Sequence, residues 1–436
     1  MSSWRAPRLR SPISAKVSIP GSKSQTARAL YLAAIGKHPC VIEGVLRSRD
    51  TDLFAQALRT LGAQIDMLGD SRVQITPISS DSPSSERVID CGLAGTVMRF
   101  LPPLAALSPT PTRFDGDEQA YARPLAPLLD VLESLGATLS YHGEKGHLPF
   151  TISGPLKPPS SPITVDASAS SQFFSAMLLV APLIGGAIIQ SNAPLISLPH
   201  IEMTLNMMQE VGLSWTQLGD REWQVDAGAP TASEIAIEPD LSNAGPFLCA
   251  GILSAGSVTI PNWPRTSTQP GAQWPSLFEE IGIETSLETN EMGSCDLTVR
   301  GGGPGSFPGI ERDMSAMGEM VPTLAALLLF ASTPSTLTGI AHLRGHETDR
   351  LDAIASSVSA LGGSIEELPD GLRITPASLH GAPLRSFADH RMATFAAIVG
   401  LVVDGVSVDD ISCTSKTLPG FESMWARMCG ESDVNV

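Results

Sequence analysis

The stretch Leu53-Phe54-Ala55-Gln56-Ala57-Leu58-Arg59-Thr60-Leu61-Gly62-Ala63-Gln64-Ile65-Asp66-Met67 carries a helix, its stop signal and a strand. Leu53, Phe54, Ala57, Leu58 and Leu61 recur at three- and four-residue spacings, which places them on one face of an amphipathic helix. Gly62 stands at the C′ position, where helices commonly enter the left-handed region that glycine adopts without a Cβ penalty. Ala63 to Met67 then alternates with the period of a half-buried strand.

The same ending returns at Ser134-Leu135-Gly136-Ala137, Glu210-Val211-Gly212-Leu213, Glu280-Ile281-Gly282-Ile283 and Ala360-Leu361-Gly362-Gly363, with the glycines about 70 to 80 residues apart. A second series runs in phase with it. Helices rich in small residues begin near Ser24, Thr96, Ser171, Asn243, Glu319 and His390. Each starts polar and turns apolar within a turn or so, and a helix apolar all round is a buried one. The repeating unit therefore reads strand, buried helix, strand, amphipathic helix, strand, strand, six times over. Its period is too long for most solenoids.

The fold class is α/β, with 436 residues forming two domains of three βαβαββ repeats around buried helices. The sixth copy, Lys416 to Met428, ends before its last strands, while Ser14 to Ile19 is a strand with no unit before it. This predicts that the N-terminal strand completes the last unit. The domains are then 1–20 plus 240–436, and 21–239, with hinge crossings at 20–21 and 238–240. Met1 to Arg10 has no apolar h-region and reads as a disordered tail rather than a secretory signal.

The formal net charge is −17, which argues against nucleic acid and anionic membrane surfaces as partners. No apolar run reaches the length of a membrane span. The six cysteines form no C-x-x-C spacing and sit mostly among apolar neighbours, as reduced thiols of a cytoplasmic protein do. Lysine is rare: only Lys16, Lys23, Lys37, Lys145, Lys157 and Lys416 occur.

Against that background several polar helix starts stand out. Pro20-Gly21-Ser22-Lys23-Ser24-Gln25-Thr26-Ala27-Arg28 is a turn entering a helix, with Ser22 or Ser24 as cap. The free N–H groups, Lys23 and Arg28 suit a phosphate or carboxylate there. Lys23 is not in a P-loop, because Ser22 and Val17 occupy the positions that need glycine. Gly95 and Thr96 form an anion-holding turn ahead of Arg99, and Arg123 precedes a helix. Ser170, Ser171 and Gln172 crowd one helix start. Glu319 enters a buried helix, where a carboxylate is costly unless used or paired, and it suits a general base. The segment from His342 to Arg350 is the densest charged run, and Asp389-His390-Arg391 places a histidine where Asp389 can orient it. If the two halves face each other, these polar starts converge on one cleft.

In this order and spacing, PGSKSQTAR, LAGTVMRF, SASSQFF, HETDRL, ADHRMA and TSKTLPGF resemble the 5-enolpyruvylshikimate-3-phosphate synthase family over essentially the whole chain. The resemblance implies a two-domain inverse α/β barrel-like fold that closes on substrate. It implies transfer of the enolpyruvyl group of phosphoenolpyruvate to the 5-hydroxyl of shikimate 3-phosphate, with no metal and no other cofactor, in a monomer that glyphosate inhibits. It assigns shikimate 3-phosphate to Lys23, Ser24, Arg28, Ser170, Ser171, Gln172, Ser197, Glu319 and His346. Phosphoenolpyruvate falls to Lys23, Gly95, Thr96, Arg123, Gln172, Arg350, Arg391 and Lys416. Catalysis falls to Glu319, Lys23, Glu347 and His390.

The chain departs from the family pattern at Leu93, Glu319, His342, His346 and His200, where asparagine, aspartate, asparagine, lysine and tyrosine are usual. A UDP-N-acetylglucosamine enolpyruvyl transferase carries a loop cysteine near the Arg123 region, and none lies between Cys91 and Cys249 here. The other alternative is a non-catalytic anion-binding relative.

Overall fold

A computed structural model of the chain describes residues 3–79, 86–168, 170–195, 197–289, 294–345 and 347–430. The chain forms two compact units. One is continuous, Gly21–Ile237, and the other is discontinuous, Met1–Pro20 with Glu238–Val436.

The continuous unit holds three four-stranded sheets built to one plan. In the first, Glu234–Ala236 runs parallel to Cys40–Glu43, which pairs antiparallel with Arg72–Thr76, itself antiparallel to Gln64–Met67. Arg87–Asp90 with Thr112–Asp115, Phe150–Ser153 and Thr138–Tyr141 repeats the order, and so does the sheet begun by Ile163–Thr164 and Ala187–Gln190. Behind them lie the helices Lys23–Ala34, Gly95–Ala105 and Ser171–Val180, buried almost throughout. None of these sheets closes into a barrel.

The discontinuous unit repeats the plan around the helices Leu241–Leu253, Val321–Leu328 and His390–Val402. Here the expectation for the N-terminal strand is corrected. Ser14–Lys16 does not complete the last repeat; it runs parallel to Ser257–Trp263 of the fourth. Trp4–Arg5 pairs instead with Ser407–Val408 of the sixth, so residues expected in a disordered tail form a strand. The reason lies in packing: Ala6 and Ile13 on either side of the connection are buried, and Gly400 leaves the space that Ala6 fills.

All five helix-ending glycines have positive φ, from 74° at Gly362 to 110° at Gly62. The residue after each donates its N–H back across the turn, as Ala63 does to the Leu58 carbonyl at 3.0 Å and Gly363 to Val358 at 2.9 Å. This is the Schellman closure that satisfies the orphan carbonyls. At the entry to the continuous unit, a Cβ on Gly21 would fall 1.8 Å from the Gly44 carbonyl oxygen, so only glycine lets the chain turn into the first buried helix there.

Candidate active site

In the continuous unit the first helix start is capped by Ser22, whose hydroxyl accepts from the Gln25 N–H at 3.4 Å. Lys23 reaches Asp50 at 3.5 Å, from the first turn of the neighbouring helix Arg49–Thr60. Arg28, one turn further in, is 2 % exposed. Its Nε donates to Thr204 Oγ1 at 2.7 Å, Nη1 to the Ser24 carbonyl at 2.9 Å, and Nη2 to the His200 carbonyl at 3.0 Å. Its guanidinium lies 5.2 Å from the Phe100 ring centroid. None of these partners is a carboxylate, and burial pushes the Arg28 pKa down.

The second cluster centres on Gly95, the first residue of its helix. A Cβ there would meet Arg123 Nη2 at 3.2 Å, Arg99 Nη1 at 3.3 Å and Gln172 Oε1 at 3.3 Å. Arg99 Nη1 donates to Gln172 Oε1 at 2.7 Å, while its guanidinium lies 5.1 Å from the Phe173 ring centroid. Arg123 donates one Nη1 hydrogen bond to the Leu93 carbonyl at 3.1 Å, and its buried Nε has no partner among the described residues. Gln172 is the second residue of the third buried helix, where the Ser170 hydroxyl accepts from the Gln172 N–H at 3.3 Å. Thr96 and Ser171 are buried at their own helix starts. Ser197 precedes the helix Leu198–Glu210 at φ 50° and ψ 47°, a left-handed conformation that costs a serine energy.

In the discontinuous unit two helix starts are joined by one carboxylate. Asp389 caps His390–Val402 by accepting from the Arg391 N–H at 2.9 Å. The same side chain accepts from Arg350 Nε at 2.7 Å and Nη2 at 3.2 Å. Arg350 begins the helix Arg350–Ala360, whose cap is Asp349. Arg350 Nη2 also reaches Glu347 Oε2 at 3.1 Å, and Lys416 Nζ reaches Glu347 Oε1 at 2.9 Å. The flanking carboxylates raise the Arg350 pKa against the opposing effect of burial, the largest single influence.

Lys416 is held by packing behind it. Phe247, Phe421 and Trp425 pack edge-on or tilted with ring centroids 5.1 to 5.9 Å apart, and Asn243 Nδ2 donates to the Thr417 carbonyl at 3.1 Å. Each ring contributes roughly 1.5–3 kcal/mol of burial. Together these contacts fix Thr417 and the helix Phe421–Met428, just after the turn Ser412–Lys416, to the buried helix Leu241–Leu253.

Glu319 sits in the turn Gly318–Met320 at the head of its helix. The Ser242 hydroxyl donates to its Oε1, and Arg391 Nη2 lies 3.7 Å from the same oxygen. His390 Nδ1 is 3.7 Å from Asp389 Oδ1, beyond hydrogen-bond length, so the expectation that Asp389 orients His390 that way is corrected. Arg350 takes both oxygens instead. His342 packs against Gly318, and desolvation lowers its pKa. His346 lies outside the described residues.

Two partners were not among the assigned site residues. Arg99 is four residues after Gly95, and that spacing on a helix already puts it beside the turn. Asp50 gave no such signal, since only the fold brings it to Lys23. Among the described residues, no group of three or more His, Cys, Asp or Glu could hold a metal, and no helix is long and apolar enough to cross a membrane.

This architecture is that of the enolpyruvyl transferases. It superposes on EPSP synthase from Acinetobacter baumannii with a TM-score of 0.81 at 22% identity, covering 98% of this chain and 97% of that one. An enolpyruvyl transferase from Streptomyces tendae gives 0.75 at 18% identity, with 98% of both chains covered. Within that class the family model for EPSP synthase (3-phosphoshikimate 1-carboxyvinyltransferase) matches residues 7–425, and the chain belongs to this family. Relatives named 3-phosphoshikimate 1-carboxyvinyltransferase include one from Bifidobacterium longum, 45% identical and covering 98% of both chains. One from Kocuria rhizophila is 45% identical over 98% of this chain and 96% of its own.

Proposed function

We propose that this chain transfers the enolpyruvyl group of phosphoenolpyruvate to the 5-hydroxyl of shikimate 3-phosphate and releases phosphate. The observation that carries the reading is 45% identity along nearly the whole length of two proteins named for that reaction. The chemistry of the two units is suited to it. Among the described residues Arg28 and Arg123 have no carboxylate partner, so an anionic substrate supplies the missing charge.

In the proposed assignment, Lys23, Ser24, Arg28, Ser170, Ser171, Gln172 and Ser197 hold shikimate 3-phosphate, with Glu319 at its 5-hydroxyl. Lys23, Gly95, Thr96, Arg123, Gln172, Arg350, Arg391 and Lys416 hold phosphoenolpyruvate. Glu319 takes the hydroxyl proton as the oxygen attacks C2 of phosphoenolpyruvate. Lys23 or Glu347 gives a proton to C3, which yields a tetrahedral intermediate. That intermediate loses the C3 proton and the phosphate to form the product. Lys416, Arg350 and Arg391 stabilise the charge that develops, the largest contribution in most such sites. His390 remains in the candidate set at its helix start. The proposed setting is a cytoplasmic monomer, and six free cysteines suit a reducing compartment.

The test is acceptor choice. With phosphoenolpyruvate and an equimolar mixture of shikimate 3-phosphate and UDP-N-acetylglucosamine, mass spectrometry is expected to find the carboxyvinyl group on shikimate 3-phosphate alone. Its appearance on the nucleotide sugar, or on neither, would contradict the reading.

A further inference from the structure

The buried helices of the continuous unit have a second pole. At their C-terminal ends a cavity of about 280 Å³ is lined by Ala34, Leu61, Ile78, Leu104, Leu107 and Leu183, with Arg87 among them. These apolar residues come from the ends of several helices, the segment after the strand Arg72–Thr76 and the turn Ala181–Ile184. Arg87 opens the strand Arg87–Asp90, where its backbone N–H donates to the Pro111 carbonyl. Its residue is only 5 % exposed, yet among the described residues Nε and Nη2 have no hydrogen-bond partner. Buried donors are almost always satisfied, and a guanidinium in an apolar wall is the group for which an unmet partner costs most.

From this we infer a binding site for a small carboxylic acid with an apolar body. The leucine-lined cavity removes the body from water. The guanidinium fork takes the carboxylate by charge-assisted hydrogen bonds. A bare phosphate would satisfy Arg87 but leave the leucine walls unfilled. The site is separate from the catalytic candidates. The helix Gly95–Ala105 has 11 residues, so its two ends stand about 16 Å apart. A ligand at Leu104 and Arg87 therefore leaves the Gly95 end open to substrate.

The test uses benzoate as probe, with benzyl alcohol and inorganic phosphate as controls, on the full chain by isothermal titration calorimetry. The expected result is one benzoate per chain, unchanged by saturating phosphoenolpyruvate, with neither control competing. Arg87→Met keeps the side-chain stem and is expected to weaken benzoate roughly tenfold or more while basal turnover stays as in the parent. Should that variant fail to fold, Leu107→Trp, which fills the cavity from its rim, is expected to abolish benzoate binding instead. The proposal is overturned if benzoate does not bind, if phosphoenolpyruvate displaces it, if phosphate binds equally well, or if a folded variant binds it undiminished. The first outcome would mean that the negative ends of the surrounding helices alone hold the Arg87 charge.

Discussion

Arg350 and Asp389 form a two-pronged ion pair at 2.7 and 3.2 Å, with side chains 2 % and 0 % exposed. Because Asp389 also caps the helix His390–Val402, one carboxylate fixes both the position of a buried guanidinium and a helix start.

Asp389→Asn separates these roles. Asparagine caps helices as well as aspartate does, so the helix start is retained while Arg350 loses its two-pronged charge partner and keeps Glu347. Removing one member of a buried pair costs about 3–5 kcal/mol. Urea unfolding is expected to show a lower midpoint with the slope unchanged, and an unaltered midpoint would refute the pair's structural role.

Arg28 makes the opposite case. Its charge is buried against hydroxyls, carbonyls and a phenylalanine ring, with no carboxylate. Arg28→Met preserves much of the volume and removes a desolvated charge. The melting temperature is expected to hold or rise, while KM for shikimate 3-phosphate rises roughly tenfold or more. Thermal unfolding and steady-state kinetics on the same preparation check both halves.

Much of this organisation was legible in the chain. The five glycine endings fixed where amphipathic helices stop, because a left-handed C′ residue has a local chemical cause at Gly62 and its counterparts. Strand partners had no such local cause. Ser14–Lys16 reads as a strand from its alternation, but nothing in those residues says that Ser257–Trp263 will be its neighbour. Trp4–Arg5 is too short for any period to show. The same limit applies in the site. Asp389 directly precedes His390 in sequence, yet both of its oxygens accept from Arg350, 39 positions away.

Glu319→Gln addresses the base. The amide still accepts from Ser242 and keeps its size, so substrate binding is expected to survive. Turnover is expected to fall by roughly 10²–10⁴. Near-parental kcat would move the proton acceptor to another group.

Gly95→Ala addresses crowding at the arginine cluster. The new methyl would lie 3.2–3.3 Å from Arg123, Arg99 and Gln172, whose flexible ends must give slightly. The chain is expected to fold, with KM for phosphoenolpyruvate raised a few-fold and glyphosate inhibition weakened more strongly. Glyphosate inhibition equal to the parent's would show that Gly95 does not bound that space.

The most direct measurement is phosphate release from phosphoenolpyruvate by the purified chain. The account predicts release that depends on added shikimate 3-phosphate and stops when that acceptor is consumed. Phosphate released without it, or none released with it, would contradict the proposed function.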